Sequence, residues 1–191
     1  MEYRNLKTSK KKTKMYKHSK DKTGECAVTG HNAEQLFVTL ARARGYRVRK
    51  AKREEQFAHI DFFLSNADTT ISVDVKGRKK ISRRNKKFND DWIWLELTSV
   101  NGKPGWLQSG PDFIAFERAG DFVISNREIL YNWLMNDSPA KESIQKKDYV
   151  ETAREAKYKI YRRRGRKDEL VQVKIEDILA LETTTLWDKN S

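Results

Sequence analysis

The chain is poor in the residues that build crosslinks and soft-metal sites. It has one cysteine, Cys26, and three histidines in 191 residues, so no internal disulfide can form and no zinc site of Cys/His spacing is available. Glycine is sparse. Gly102 and Gly105 around Pro104 mark a tight loop, and the glycine spacing of a phosphate-binding P-loop is absent. No apolar run approaches the length of a membrane-spanning helix, and the basic N-terminus is followed by no apolar h-region. A soluble, unsecreted chain in a reducing setting, cytoplasmic or nucleoid-associated, is therefore expected. Acidic residues are outnumbered: 27 Asp+Glu stand against 40 Lys+Arg, a net charge of +13. That balance selects a polyanionic partner, nucleic acid first, over an acidic small molecule.

Such a length supports one moderate core with extensions. Residues 1–24 form a basic arm, with nine Lys+Arg against Glu2 and Asp21 and almost no apolar periodicity. Ala33, Leu36, Phe37, Leu40 and Ala41 then recur at helical spacing, and Gly45 stands where a left-handed residue ends a helix. Glu34 lies one position off that apolar stripe, where a first-turn acid is favoured by the helix dipole. Strand-like runs follow at 46–50, 58–64, 70–76, 92–98, 112–116 and 122–124. Ser125 and Glu128 read as a capping box opening a helix to about Met135. Residues 138–161 read as a polar helix with Pro139 in its first turn. The order of elements predicts an α/β core over 25–136, in which two helices flank a mixed sheet of about five strands. A basic, partly helical C-terminal extension over 137–191 completes the chain.

The stretch "AHIDFFLSNADTTISVDVK" holds two alternating runs separated by Ser65, Asn66, Ala67 and Asp68, a hairpin pattern. A turn centred between Ala67 and Asp68 pairs Ile60 with Val75, Phe62 with Val73 and Leu64 with Ile71, leaving one face wholly apolar. The other face then sets Asp61 opposite Asp74 and His59 opposite Lys76. Opposed carboxylates with Cβ atoms on the order of 5 Å apart repel and call for a compensating cation. Hard oxygen ligands with room for water and phosphate suit Mg²⁺ or Mn²⁺. Lys76, two residues beyond Asp74 on the same face, reaches the same space.

Glu34 on the first helix, Asp61 on one strand and Asp74-Val75-Lys76 on the next resemble the PD-(D/E)xK nuclease superfamily, with Ile60 standing where the name-giving proline would be. The resemblance covers about Asn32 to Thr98, and later segments such as "WLEL" and "PDFIAF" look like those of viral or phage members. It implies a restriction-endonuclease-like core and a Mg²⁺- or Mn²⁺-dependent DNA endonuclease of homing, resolvase, repair or restriction type, often dimeric. By the same resemblance Asp61, Asp74 and the carbonyl of Val75 hold the metal and Glu34 completes the shell or holds a second ion. Lys76, a cation beside two carboxylates, orients the attacking water and stabilises the transition state. Glu96, on one strand face with Trp92, Trp94 and Thr98, is either a further site acid or an acid paired with a neighbouring base. His59 is either a substrate contact or a half-exposed strand residue.

"GRKKISRRNKK" supplies Arg78, Lys79, Lys80, Arg83, Arg84, Lys86 and Lys87 without one acid. Such a loop calls for a counter-charge, which a double-stranded or branched DNA backbone provides. Arg162, Arg163 and Arg164 of "YRRRGRK" form a second candidate contact. Phosphate contacts of this kind position a protein without reading sequence. The tryptophan- and phenylalanine-rich segments are expected in the core. The competing function is a non-catalytic basic nucleic-acid-binding protein of structural or packaging type, with Asp61 and Asp74 only in salt bridges.

Overall fold

The computed structural model describes residues 25–80 and 88–190, the first three by backbone alone. The basic arm, and Arg83, Arg84, Lys86 and Lys87 of the basic loop, lie outside the described residues. The described residues form a mixed α/β fold with a mixed six-stranded sheet and a separate two-stranded one. No helix among the described residues is long and apolar enough to cross a membrane.

The first helix, α1 (Glu25–Ala43), ends as its sequence requires: Gly45 takes φ 85° and Tyr46 N–H reaches back to the Ala41 carbonyl. Strand β1 (Arg47–Lys50), helix α2 (Arg53–Phe57), strand β2 (Phe62–Ser65) and strand β3 (Thr70–Lys76) follow. The β2–β3 pairs are Phe62–Val73, Phe63–Ser72, Leu64–Ile71 and Ser65–Thr70, the register read from alternation. The Asn66 side chain holds the turn by accepting from the N–H groups of Asp68 and Thr69. That ladder stops at Phe62. Residues 58–61, expected to extend the strand, instead leave α2 through His59, which sits in the left-handed region at φ 60°. Neither Ile60–Val75 nor His59–Lys76 is a ladder pair.

After β3 the chain crosses to the second sheet as β4 (Trp92–Thr98), makes a 3₁₀ turn (Trp106–Gln108), and returns as β5 (Phe113–Glu117) parallel to β3. Asp112 fixes that return: its Oδ2 accepts from both the N–H and the hydroxyl of Ser72 at 2.7 Å. Strand β6 (Asp121–Asn126) pairs antiparallel with β5 and leads into α3 (Arg127–Asn136). The cap of α3 is Asn126, whose side chain accepts from Glu128 and Ile129 N–H. Ser125, expected as the cap, is buried in β6 instead and accepts from the Thr184 hydroxyl.

The segment after Asn136 departs from the helical extension expected. Only α4 (Lys141–Lys146) is helical within 138–161, stopped by Lys147 at φ 52°. Strand β7 (Glu169–Lys174) pairs with β4, α5 (Ile175–Leu179) follows, and β8 (Thr185–Asp188) closes the large sheet in the order β1-β2-β3-β5-β6-β8. One face of that sheet packs on α1 through Phe37, Phe62, Val73, Val75 and Phe122. The other face packs Ile114, Phe116 and Val123 against Leu95, Leu97 and Val171 of the second sheet and Leu130 of α3. The sheet is thus apolar on both sides, and a polar group on β3 facing the second sheet enters protein rather than water.

Candidate active site

Alternation along β3 sends Ile71, Val73 and Val75 toward α1, so Ser72, Asp74 and Lys76 face the second sheet. Ser72 is taken up by Asp112. Asp74 is only 3% exposed, and among the described residues no hydrogen bond reaches its Oδ2. Lys76 Nζ stands 2.5 Å from that oxygen, an ion pair without hydrogen-bond alignment. A buried carboxylate held by one imperfect partner is costly unless a further cation joins it.

Asp61 lies one residue before β2 and substitutes its side chain for the missing ladder. Its N–H donates to the Val73 carbonyl at 2.9 Å, and its Oδ2 accepts from Val75 N–H at 2.8 Å. The carboxyl therefore sits against Asp74-Val75. Burial first, then the Asp74 charge, pushes Asp61 up to about 7, against the opposing pull of Val75 N–H and the Lys76 ammonium. An acid whose folded pKa exceeds its unfolded value contributes fully to stability below about pH 4 and loses that contribution as pH rises toward 7. Asp61→Asn cannot titrate. In metal-free buffer its melting temperature should gain on wild type by several degrees between pH 4.5 and pH 7.5. A difference that stays constant over that range would show that Asp61 is not perturbed.

Three further residues surround this pair. His59 feels both Lys76 and Asp74; burial lowers its pKa first and Lys76 adds to that, so its proximity comes from the left-handed turn. Glu34, in α1, adds to the field on Asp61 and also meets Lys50 Nζ at 3.5 Å. The helix approaches closely because Gly77 has no side chain: a Cβ there would lie 3.2 Å from the Thr29 carbonyl oxygen. Glu96 approaches from β4. Its pKa is raised, by burial first, while Lys76 and Trp106 N–H oppose the rise. Gly105 makes room for Glu96, since a Cβ at that position would fall 2.4 Å from the Glu96 carbonyl oxygen. The ring of Trp106 lies under Lys76 Nζ at 4.9 Å. Lys76 is therefore held between Asp74 and an aromatic face, with Glu96 nearby.

The basic candidates divide. Arg78 is forked onto Asp90 by two bonds of 2.8 Å and lies over Phe88, which Lys80 also approaches; Lys79 is exposed. Arg164 is exposed as well. Arg162 binds Glu169 at 2.7 Å and stacks on Tyr149, and Arg163 pairs with the fully buried Asp168. Burial alone would push Glu169 up. Hydrogen bonds from Tyr149, Lys147, Thr98 and Arg162 overcome it and hold Glu169 at about 2. Arg162 and Arg163 thus close the second sheet at least as much as they present charge outward.

Trp106, Asp112 and Asp168 were not singled out from sequence as site or supporting residues. "RKDEL" carries a weak signal for Asp168, an acid directly before a strand and after a basic run. No pattern in "GWL" marks Trp106 as a shelf for a lysine.

No family model and no curated protein matches the chain. One solved structure, that of a bacterial homing endonuclease, I-Ssp6803I, aligns over 55% of this chain and 71% of its own at 17% identity, with a TM-score of 0.39. Likeness of that size is too loose to equate the two folds.

Proposed function

We propose that the chain is a metal-dependent DNA endonuclease of restriction-endonuclease-like type, acting on double-stranded or branched DNA. The observation that carries this reading is the meeting of Asp61 and Asp74 at the end of β3, with one carboxyl raised toward 7, the other buried without a hydrogen bond on Oδ2, and Lys76 beside them. Both carboxylates would be relieved by a divalent cation. Among the described residues no three His, Cys, Asp or Glu side chains form a closed metal cluster. Mg²⁺ is ordinarily held by one or two carboxylates plus waters and phosphate oxygens, which the pair can satisfy.

Asp61 and Asp74 would hold Mg²⁺ or Mn²⁺, and Glu34 stands at the margin to complete the shell. The Val75 carbonyl is a suitable third ligand. Its N–H faces Asp61, and N–H and C=O of one strand residue point to the same edge. When bound, the ion lowers the pKa of a water and offsets charge building on the phosphate. Lys76 positions a phosphate oxygen or the attacking water and stabilises the developing negative charge. Trp106 limits where that ammonium can go. Lys79 and Lys80, leaving the same end of β3, would hold flanking phosphates, with Arg78 kept beside them by Asp90, and the dimer common among proteins with this motif set is part of the proposal.

Supercoiled plasmid incubated with the protein and Mg²⁺ or Mn²⁺ should be nicked or linearised, and chelation should stop the reaction. DNA retained with a steep salt dependence, but intact in every divalent metal, would support the non-catalytic binding reading, which the Asp74–Lys76 ion pair favours.

A further inference from the structure

The β1 edge of the large sheet and α2 carry a run of exposed cations: Arg47, Arg49, Lys50, Lys52 and Arg53. Edge strands are commonly charged to prevent pairing with other chains, so the cations of β1 have a sufficient explanation by themselves. Phe57 does not. It lies on α2 beside that edge, is 76% exposed, the most exposed large hydrophobic side chain among the described residues, and takes no part in guarding the strand.

Nor is Phe57 on a loose loop. Glu55 accepts from Lys52 N–H at 2.6 Å and is forked by Arg49 at 2.8 and 2.9 Å, while the Gln56 amide donates to the Ala51 carbonyl. Beyond the ring, Ile60 N–H returns to the Glu55 carbonyl. Five residues of helix are thus fastened to β1 and to the following turn, and they present one aromatic ring to water beside the exposed Lys52 and Arg53, with Glu54 the one exposed acid of the helix. Phe57 and Asp61 are four positions apart, a span of at most about 14 Å between their Cα atoms. At about 3.4 Å per nucleotide step, that sets the two contacts a few steps apart along one strand.

We propose that the β1–α2 edge is a second nucleic-acid contact, in which Phe57 stacks on an unpaired base while Lys52 and Arg53 hold the neighbouring phosphates. The distance to the cut site rests on the nuclease reading; the contact itself does not. Aromatic stacking tolerates any base and cations hold any phosphate, so the surface would favour distorted DNA over a particular sequence.

The test uses the full chain carrying Asp74→Asn, in chelator, with a duplex bearing one unpaired 2-aminopurine. Binding should change the probe's fluorescence. Phe57→Ala should abolish that change and weaken binding on the order of tenfold to a hundredfold, with Phe57→Trp restoring both. The melting temperature should stay constant, because the ring is exposed. Lys52→Gln and Arg53→Gln should each weaken all duplexes alike and lower the salt slope by about one. Unchanged affinity and fluorescence in Phe57→Ala would overturn the proposal. So would a Phe57→Ala shift from dimer to monomer with DNA affinity intact, which would make the ring a contact between copies. Failure of wild type to cleave in metal, with the fluorescence response present, would defeat the nuclease reading and leave this contact standing.

Discussion

Asp74→Asn should abolish plasmid cleavage, by on the order of 10³-fold or more, while leaving the protein folded and bound to DNA. The substitution keeps shape and removes only the charge that the proposed ion requires. Its effect on stability should have the opposite sign. Asp74 is buried, no hydrogen bond reaches Oδ2, and its charge raises Asp61, so the neutral amide removes a like-charge conflict. A melting temperature equal to or above that of wild type, together with lost cleavage, is the pattern of a group kept for chemistry at the expense of stability. Lys76→Gln should lose roughly 10²- to 10³-fold, as a group stabilising transition-state charge does. Cleavage that survives both substitutions would remove the catalytic assignment, and a lowered melting temperature in Asp74→Asn would make that carboxylate a structural one.

Arg163→Leu should cost about 3 kcal/mol of stability, the lower end for breaking a buried pair because the guanidinium is itself 40% exposed. Asp168 is fully buried, its Oδ2 is held by Arg163, and no hydrogen bond reaches its Oδ1 among the described residues. Removing the guanidinium strands a carboxylate that cannot reach water. In a chain of this length that corresponds to roughly 10 °C in melting temperature. The double substitution Arg163→Leu with Asp168→Leu should recover most of the loss, since replacing both members of such a pair by apolar groups is often close to neutral. Urea unfolding of the three variants checks this. A single-variant loss below about 1 kcal/mol would show that Arg163 is chiefly a surface charge, free to take a phosphate.

Alternation made the hairpin legible: Thr70–Lys76 and Trp92–Thr98 are strands with the bounds their sequence suggests, and the β2–β3 register follows from keeping Ile71, Val73 and Val75 on one face. Gly45 gave the end of α1 for the same local reason. The stretch before Asp61 was not legible. Residues 58–61 alternate like a strand, but α2 upstream is held by the Arg49–Glu55 fork and the chain must leave it through a left-handed His59, so Asp61 meets Val75 by its side chain rather than by a ladder pair. Glu96 could be placed on a strand but not beside Lys76, because β4 belongs to another sheet and the Gly105–Trp106 turn sets its approach. Residues 138–161 are polar enough for an exposed helix, yet their backbone bonds go to β7 and its surroundings, as when Tyr158 N–H meets the Gln172 carbonyl. Local pattern carries no information about such distant partners.

The pairing of β4 with β7 has a consequence for synthesis. Thr98 and Glu169, joined across it, are 71 positions apart, and β8 at the far border of the large sheet comes later still. A nascent chain that has exposed β3 on the ribosome already carries both acids and the lysine, but β4, which brings Glu96 beside Lys76, gains its partner strand only when β7 has followed. Long-range closure of this kind is slow, so the acids and the lysine are in place on the nascent chain well before the second sheet that covers them is closed.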